Sequence, residues 1–148
     1  FSDRDGAACR GLSQDGFAAI GGFEAGSGDN SWLIGLPCGE GGAYNQAYAF
    51  WERTGSTFRR VSLPVMSGDG PSTDDLAWNI SWDQERQELT GFFKGRGLGD
   101  CGEFNRWSWK ETGTRHVFVL TEARAKSNCD GVPDGGPENW PPIWPPAG

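Results

Sequence analysis

The chain has 148 residues, and its 13 basic and 20 acidic side chains give a formal net charge of −7; this length suits one domain with a sizeable core, and the acidic balance argues against nucleic acid as a partner. The 24 glycines and 9 prolines are too many for a helical protein, because a helix interior loses about 1 kcal/mol for each glycine and about 3 kcal/mol for each proline relative to alanine. No apolar run approaches the roughly 20 residues that cross a bilayer, so no transmembrane segment is expected.

Residues 1–28 carry no clear strand or helix pattern and are predicted to be a loosely structured N-terminal segment. They begin with FSDRDG and without an initiator methionine. A processed, exported protein starts in this way, and so does a chain cut at an arbitrary boundary. Both interpretations stay open at this point.

The next segments alternate with a period of two, which predicts β-strands. In SWLIGLPC, Trp32, Ile34 and Leu36 share one face, and YNQAYAFWER continues the alternation with Phe50 and Trp51 on opposite faces. TFRRVSLPV alternates as well, and its proline belongs at a sheet edge or a strand end because proline cannot donate to a ladder. The segment MSGDGPSTDD follows as a loop rich in Gly, Pro, Ser and Asp.

Two hairpins are the clearest predicted elements. The first pairs AWNISWD with ELTGFFK across the turn QERQ, and the second pairs FNRWSWK with RHVFVLTEA across ETGT. Their first arms carry pairs of alternating tryptophans. No 3.6-residue pattern of useful length occurs. Residues 1–148 are therefore predicted to form a single all-β domain, in which antiparallel hairpins make a sandwich or incomplete barrel with little helix.

Between the hairpins, KGRGLGDCG is predicted to be a turn whose glycines supply positive φ angles. A phosphate cradle is one alternative, because three alternating glycines lie near Lys94 and Arg96. That kind of site needs a helix directly after the glycines, and here a strand is expected. The other alternative is contact with a partner through Arg96 and Asp100.

The four cysteines, Cys9, Cys38, Cys101 and Cys129, lie far apart in a chain with one histidine. Zinc sites prefer paired Cys and His at short spacing, so no metal is expected at these thiols. An even number of cysteines favours disulfides and an oxidising compartment. Of the three possible connectivities we prefer Cys101 with Cys129 and Cys9 with Cys38, and four free buried thiols are the alternative.

Residues 134–148 form a Trp- and Pro-rich C-terminal tail that ends in ENWPPIWPPAG. This composition is typical of a polyproline II segment. We expect Trp140 and Trp144 to pack on the chain's own sheet, because exposed tryptophan lowers solubility. Presentation of these two side chains to a partner is the alternative.

The sequence contains no recognisable catalytic set. His116 lies in a predicted strand on the face of Phe118, so a half-buried structural side chain is expected rather than a general base. Asp74 with Asp75 or Glu103 could form the two-carboxylate site of a glycosidase, although solvated loop charges are the simpler interpretation. The segments NCDGVPDGGPEN and SGDGPSTDD suit calcium but do not follow the EF-hand order. No cofactor is expected, with calcium as the alternative.

The segments LPCGEGGAYNQAYAFW and FFKGRGLGDCGEFNRWSWK, with NCDG and a closing Trp-Pro segment, resemble the bacterial domain-of-unknown-function family 1176, exported proteins of proteobacterial envelopes. The resemblance runs from about residue 32 to residue 144. Its motif positions fall on Cys38, residues 43–45, residues 94–102 and Cys129. It implies a periplasmic or extracellular location, and it brings no established activity and no catalytic residues.

These features predict an exported, non-catalytic envelope protein that binds or braces another macromolecule as an accessory or structural subunit. An envelope protein or protein complex is the expected partner. The alternative is a carbohydrate-binding module that stacks sugar rings on an exposed row of indoles, Trp78, Trp82, Trp107 and Trp109. A carboxylate-based glycan hydrolase is a third possibility. The predicted binding residues are Tyr44, Asn45, Arg96, Asp100, Trp107 and Trp109.

Overall fold

The computed structural model describes residues 22–28, 30–38, 44–67 and 69–146. Within those ranges the regular structure is almost all β-strand, and one turn of 3-10 helix spans Pro137–Asn139. No helix there has the length and hydrophobicity that a membrane crossing requires. The strands are β1 Phe23–Gly26, β2 Ser31–Cys38, β3 Ala47–Thr54, β4 Thr57–Val61, β5 Leu63–Ser67, β6 Gly70–Asp74, β7 Ala77–Trp78, β8 Ser81–Asp83, β9 Glu88–Lys94, β10 Gly102–Thr112, β11 Arg115–Lys126 and β12 Pro142–Trp144. The predicted all-β class is confirmed.

The strands form two five-stranded sheets and a two-stranded ribbon, β5–β6. In the first sheet the order is β1-β2-β3-β4. β7 lies in line with β4, because β4 pairs with the second half of β3 and β7 pairs with its first two residues. The second sheet has the order β12-β11-β10-β9-β8. All these pairings are antiparallel. Neither sheet closes on itself among the described strands, so the two sheets form an open sandwich.

The two sheets pack face to face on a core of rings and aliphatic side chains. Phe50 on β3 meets Phe118 on β11 edge to face, with 5.5 Å between ring centroids. The buried set is Leu33, Phe50, Val61, Leu63, Ala77, Leu89, Trp107, Trp109 and Phe118. Because side chains alternate along a strand, the intervening residues of β2 and β3 lie on the opposite face of the first sheet. They form a second buried cluster, made of Ile34, Leu36, Cys38, Ala49 and Trp51.

The second predicted hairpin is confirmed, and the first is corrected at one residue. β10 and β11 pair along their length and turn at Gly113, whose φ is 70°. In the first hairpin only β8 pairs with β9, because Asn79 has a left-handed φ of 46° and ends the strand after Trp78. Trp78 pairs with β3 in the other sheet. Asparagine tolerates this conformation better than most side chains, so one residue moves the chain from the first sheet to the second.

The expectation for the N-terminal segment is corrected at its end. Phe23–Gly26 form β1 at the edge of the first sheet, although they belong to the stretch expected to be loosely structured. The ring of Phe23 anchors this strand, since it lies 6.4 Å from Phe50 and 6.0 Å from Trp82. Residues 1–21 of the predicted segment lie outside the described residues.

The C-terminal tail packs on the chain itself, as expected. Trp140 is fully buried and meets Phe92 edge to face, with 5.5 Å between ring centroids. Trp144 belongs to β12, and its indole Nε1 donates to the Leu120 carbonyl at 3.2 Å. The tail therefore covers the outer face of the second sheet and adds an edge strand to it.

The predicted disulfide between Cys101 and Cys129 is confirmed, with Cα atoms 4.9 Å apart. It joins the turn between β9 and β10 to the segment that follows β11. None of the three described cysteines has a free thiol. The predicted pairing of Cys9 with Cys38 involves Cys9, which lies outside the described residues, so this pairing stays a prediction.

Candidate binding groove

A polar cluster inside the sandwich contains the single histidine. Glu52 is 3% exposed and accepts hydrogen bonds from Ser31 Oγ at 3.0 Å and from Arg59 Nη2 at 2.7 Å. The His116 N–H donates to the same carboxylate, and His116 Nδ1 lies 2.7 Å from Glu52 Oε2. Trp109 stacks on the imidazole with 5.3 Å between ring centroids. His116 is thus more deeply buried than expected, and its surroundings are those of a structural side chain.

This cluster does not have the geometry of a nucleophilic triad. Ser31 Oγ lies 3.4 Å from His116 Nδ1, the same nitrogen that contacts Glu52. A proton relay needs the hydroxyl and the carboxylate on opposite ring nitrogens. Burial alone would raise the pKa of Glu52, but hydrogen bonds from Arg59, His116 and Ser31 outweigh this effect and hold its pKa below the ordinary value. The cluster therefore keeps a charged carboxylate between the sheets.

Asn79 and Asn45 form a hydrogen-bonded corner where the chain passes between the sheets. Asn79 Nδ2 donates to the Phe92 carbonyl and to Asn45 Oδ1, both at 2.8 Å. Asn79 Oδ1 accepts from the Gln46 N–H at 3.0 Å. Asn45 in turn donates to the Lys94 carbonyl at 2.8 Å and accepts from the Lys94 N–H at 2.9 Å. The predicted binding residue Asn45 is therefore occupied in joining the first sheet to β9.

Tyr44 brings the two sequence motifs together in space. A Cβ atom on Gly97 would lie 3.4 Å from Tyr44 Cδ1, so the ring rests against the glycine-rich turn. Tyr44 is 42% exposed, and the neighbouring turn residue Leu98 is 62% exposed. Tyr44 from the first motif and the turn residues Gly97 and Leu98 from the second thus contribute to one partly apolar surface.

Arg96 and Asp100 form a clamp within the chain. Arg96 donates to the two carboxylate oxygens of Asp100, from Nε at 2.8 Å and from Nη2 at 2.5 Å, and it also reaches the Cys129 carbonyl at 3.1 Å. The Gly131 N–H donates to Asp100 at 2.6 Å. The guanidinium of Arg96 holds the pKa of Asp100 well below its usual range. These two predicted partner contacts therefore fasten the glycine-rich turn to the disulfide loop.

The prediction of positive φ angles in the glycine-rich turn is confirmed at two of its four glycines. Gly99 has a φ of 72° and Gly102 a φ of 140°. A Cβ atom on Gly102 would lie 1.9 Å from the Phe93 carbonyl oxygen, so any side chain there would displace β9. β10 begins at Gly102, and a phosphate cradle would need a helix N-terminus at this place.

A groove crosses the second sheet beside the glycine-rich turn. Its deeper part, which we call the cleft, has a volume of about 240 Å³ and lies between the β5–β6 ribbon and strands β9 and β10. Trp78 and Phe93 form an aromatic wall, edge to face with 5.3 Å between ring centroids. Glu103 and Asn105 add polar groups to the cleft, and Asp74 lines it on the ribbon side.

The cleft continues into a shallower depression of about 310 Å³ that ends at the Cys101–Cys129 disulfide. Phe93 and Glu103 line both parts, and they are direct neighbours in the register of β9 and β10. We call the cleft and the depression together the groove. Any ligand that spans it contacts Phe93 and Glu103 at its centre.

The exposed row of four indoles that a glycan platform requires is not formed. Trp107 and Trp109 are 2% and 4% exposed and belong to the core, so neither of these two predicted binding residues offers an exposed indole face. Trp82 stacks on Phe23 at the edge of the sandwich. The alternation along β10 was predicted correctly, but its aromatic face is the one that the first sheet covers. Of the four indoles, Trp78 and the largely buried Trp107 line the groove.

Phe93 and Asn105 line the groove and were not among the predicted binding residues. Asn105 and Glu103 continue the alternation of Trp107 and Trp109 along β10, so they share the core-facing side of that strand. Two polar residues on an otherwise aromatic face mark the point where the covering sheet ends. This change from tryptophan to polar residues along one face of β10 is visible in the sequence and marks the position of the groove.

One of the segments considered for calcium surrounds a lysine. Lys126 Nζ lies 2.8 Å from Asp130 Oδ1 and 2.7 Å from Asp134 Oδ2, and it donates to the Val132 carbonyl at 2.6 Å. The lysine lowers the pKa of Asp130. An internal ammonium therefore holds the oxygens that would otherwise be available to a metal ion.

We expect added calcium, or its removal with EDTA, to leave the melting temperature of the chain unchanged. Substitution Lys126→Met should lower the melting temperature, because two carboxylates then lose the cation they share. Lys110→Met, at an exposed position on β10, is the matched control and should have no effect. A rise in the melting temperature of the unmodified chain in calcium would contradict the interpretation that Lys126 replaces a metal ion.

The fold and the groove define an open antiparallel β-sandwich with an elongated surface groove next to a disulfide-linked turn. The chain belongs to the family DUF1176, described as proteins of unknown function, whose model matches residues 3–147. This match confirms the resemblance drawn from the sequence motifs and extends it toward both ends of the chain.

The chain is also similar to the uncharacterized protein YpfG of Escherichia coli (strain K12), with 34% identity over 106 residues. The aligned part covers 69% of this chain and 29% of that protein. The chain therefore spans less than a third of the length of this relative. No solved structure gave a significant match.

Proposed function

We propose that this chain is an exported, non-catalytic envelope protein that binds another macromolecule through the groove, as an accessory or structural subunit. The groove is the observation that supports the proposal, because its aromatic wall of Trp78 and Phe93 lies beside the polar side chains of Glu103 and Asn105. Aromatic anchors next to a few hydrogen-bonding groups are typical of binding sites. An envelope protein or protein complex is the proposed partner.

The positions of the reactive side chains also support binding rather than catalysis. Ser31, Glu52 and His116 are buried between the sheets. Among the described residues, Asp74 and Glu103 are the two carboxylates that line the groove, and Asp74 Oδ1 already accepts the Leu76 N–H at 3.1 Å. A glycan hydrolase, the third possibility, would have to use Asp74 and Glu103 as its two catalytic carboxylates.

The Cys101–Cys129 disulfide supports the proposed location in the periplasm or outside the cell. Cytosolic thiols are kept reduced, whereas disulfides persist in oxidising compartments. The bond also closes one end of the groove, so an oxidising compartment would preserve the binding surface.

A glycan is the second candidate ligand, and Trp78 is the observation that favours it. Its indole lines the cleft together with Asn105 and Glu103, and such groups can stack on a sugar ring and bind its hydroxyls. This arrangement differs from the exposed row of indoles predicted from the sequence, since the Trp78 indole lies inside a cleft that Phe93 and the largely buried Trp107 also line.

Capture of the partner from its native envelope tests the proposal. After mild cross-linking, the tagged chain is expected to retain a specific macromolecule, and Trp78→Ala should reduce the retained amount about tenfold if the indole is an anchor. Trp82→Ala is the matched control, because this partly exposed indole lies outside the groove. Melting curves of both variants would verify that they are folded.

The identity of the captured material separates the two candidates. A protein found by mass spectrometry supports the main proposal, and a glycan found by sugar analysis supports the second candidate. If the unmodified chain retains nothing beyond what Trp78→Ala retains, the groove is not the binding site and the proposal is overturned.

A further inference from the structure

The groove carries negative charge that no described side chain neutralises. Glu103 lies at its centre and Asp74 at its ribbon side, and both side chains are exposed. Neither carboxylate takes part in an ion pair with another described residue. A ligand in the groove therefore meets two carboxylates that have no counter-charge among the described residues.

Of the residues that the structure describes, two cationic side chains line the groove, and both are already paired. Arg124 Nε lies 3.3 Å from a carboxylate oxygen of Glu122. Lys126 is held between Asp130 and Asp134, at 2.8 and 2.7 Å. Both ammonium and guanidinium charges are thus compensated by neighbouring carboxylates, so Asp74 and Glu103 give the described lining of the groove an excess of negative charge.

The aromatic wall suits the same kind of ligand as the carboxylates. Phe93 is 38% exposed and lies next to Glu103, and Trp78 continues the wall into the cleft. The methylene groups of a lysine or arginine can lie along such rings while the charged end reaches a carboxylate, and the ring faces themselves attract cations. A neutral sugar would leave both carboxylates without a counter-charge, and an acidic glycan would be repelled.

The shape of the groove favours an extended chain. The cleft and the depression follow one another with Phe93 and Glu103 at the junction. A cleft of about 240 Å³ admits one or two side chains but no folded element. An extended peptide directs alternate side chains to one side, so successive anchors could enter the cleft and reach the junction.

We infer that the groove binds an extended, basic segment of a partner protein, in which an apolar side chain enters the cleft beside Trp78 and a Lys or Arg pairs with Glu103. This inference rests on the proposed binding function and names the chemistry of the partner. Asp74 provides the second carboxylate for a further basic residue of the segment.

Selection from a display library of random unstructured peptides on the immobilised chain tests this inference. Enriched peptides are expected to combine Lys or Arg with apolar residues, and their affinity should weaken as salt is raised. The double substitution Asp74→Asn and Glu103→Gln should weaken a selected peptide about tenfold. Asn at position 74 retains the Oδ1 acceptor for the Leu76 N–H, so the local turn is preserved.

The matched control removes the same charge elsewhere. Glu85→Gln with Glu111→Gln changes two exposed carboxylates outside the groove, one in the β8–β9 turn and one at the far end of β10. This variant should bind the selected peptide as the unmodified chain does. Equal weakening in both double variants would mean that overall charge, and not the groove, attracts the peptide, which overturns the inference.

The remaining outcomes separate this inference from the function on which it rests. Absence of enriched peptides, or enrichment without Lys and Arg, overturns the basic-segment inference. If the chain still captures an envelope partner through Trp78, the proposed function is retained and the inference about a basic segment is not. A captured glycan overturns the inference in favour of the second candidate. If no basic peptide is enriched and no envelope partner is captured, both proposals are overturned.

Discussion

Substitution of Glu52 by glutamine is expected to lower the free energy of unfolding by about 2–3 kcal/mol at neutral pH. Both carboxylate oxygens accept hydrogen bonds, Oε1 from Arg59 and Oε2 from Ser31, and the His116 N–H reaches both. A glutamine NH₂ group would face a donor in either orientation. The variant therefore leaves buried donors without acceptors and removes the charge opposite Arg59. Urea unfolding of the two chains measures the difference.

Glu24→Gln is the matched control for this substitution. Glu24 on β1 also forms an ion pair, with Arg53 on β3 across the intervening strand β2, but both side chains are partly exposed, at 35% and 25%. Exposed pairs contribute about 1 kcal/mol or less. A loss at Glu52 no greater than the loss at Glu24 would contradict the view that the buried cluster stabilises the sandwich.

The pH dependence provides a second check on Glu52. Its pKa is lowered in the folded chain from the ordinary value of 4.5, so its stabilising contribution is complete above that pH and is lost as the pH falls toward the folded pKa. The difference in unfolding free energy between the unmodified chain and Glu52→Gln should therefore be constant near neutrality and shrink in acid. A difference that is the same at pH 7 and well below pH 4.5 would contradict this assignment.

The fold could be predicted from the sequence wherever local periodicity decides the structure. The hairpin from β10 to β11 follows from its alternation and from the turn glycine, Gly113. Periodicity does not say which face another sheet covers, so the aromatic face of β10 was assigned to a ligand although it belongs to the core. The break at Asn79 was missed for a related reason, because the alternation of Trp78, Ile80 and Trp82 continues across it. Hydrogen bonds from residues distant in sequence stabilise that break.

The groove was harder to predict than the fold, because its residues come from separate parts of the chain. Trp78, Phe93 and Glu103 lie on three different strands. The charge at the groove depends on pairing as well as composition, since Lys126 is compensated by aspartates whereas Glu103 forms no ion pair with a described cation. No count of charges along the sequence distinguishes those two cases.

Residues of the two sequence motifs hold in place the strands that line the groove. Asn45 holds the end of β9 through Lys94, next to Phe93. Arg96 and Asp100 hold the turn that leads into β10 and Glu103. The predicted binding residues in these motifs are therefore close to the groove, although their own polar groups are used within the chain.

Removal of the Cys101–Cys129 disulfide is expected to lower the free energy of unfolding by about 3–4 kcal/mol, the largest effect among these variants. The bond joins residues 28 positions apart, and in the chain-entropy model a loop of this length restricts the unfolded chain by that amount. The double substitution Cys101→Ala and Cys129→Ala removes the cross-link and leaves neither partner as an unpaired cysteine. Urea unfolding without reductant measures the loss.

A second pair of substitutions, Cys101→Ser and Cys129→Ser, checks that the loss comes from the cross-link. Serine is polar, and Cys101 is 2% exposed, so the serine pair should lose at least as much stability as the alanine pair. The Arg96–Asp100 clamp and its hydrogen bond to Gly131 remain in both variants, and they should keep the folded turn in place. Unfolding should therefore stay cooperative in both variants, at lower urea. A loss below about 1 kcal/mol in the alanine pair would show that this loop does not restrict the unfolded chain as the entropy model requires.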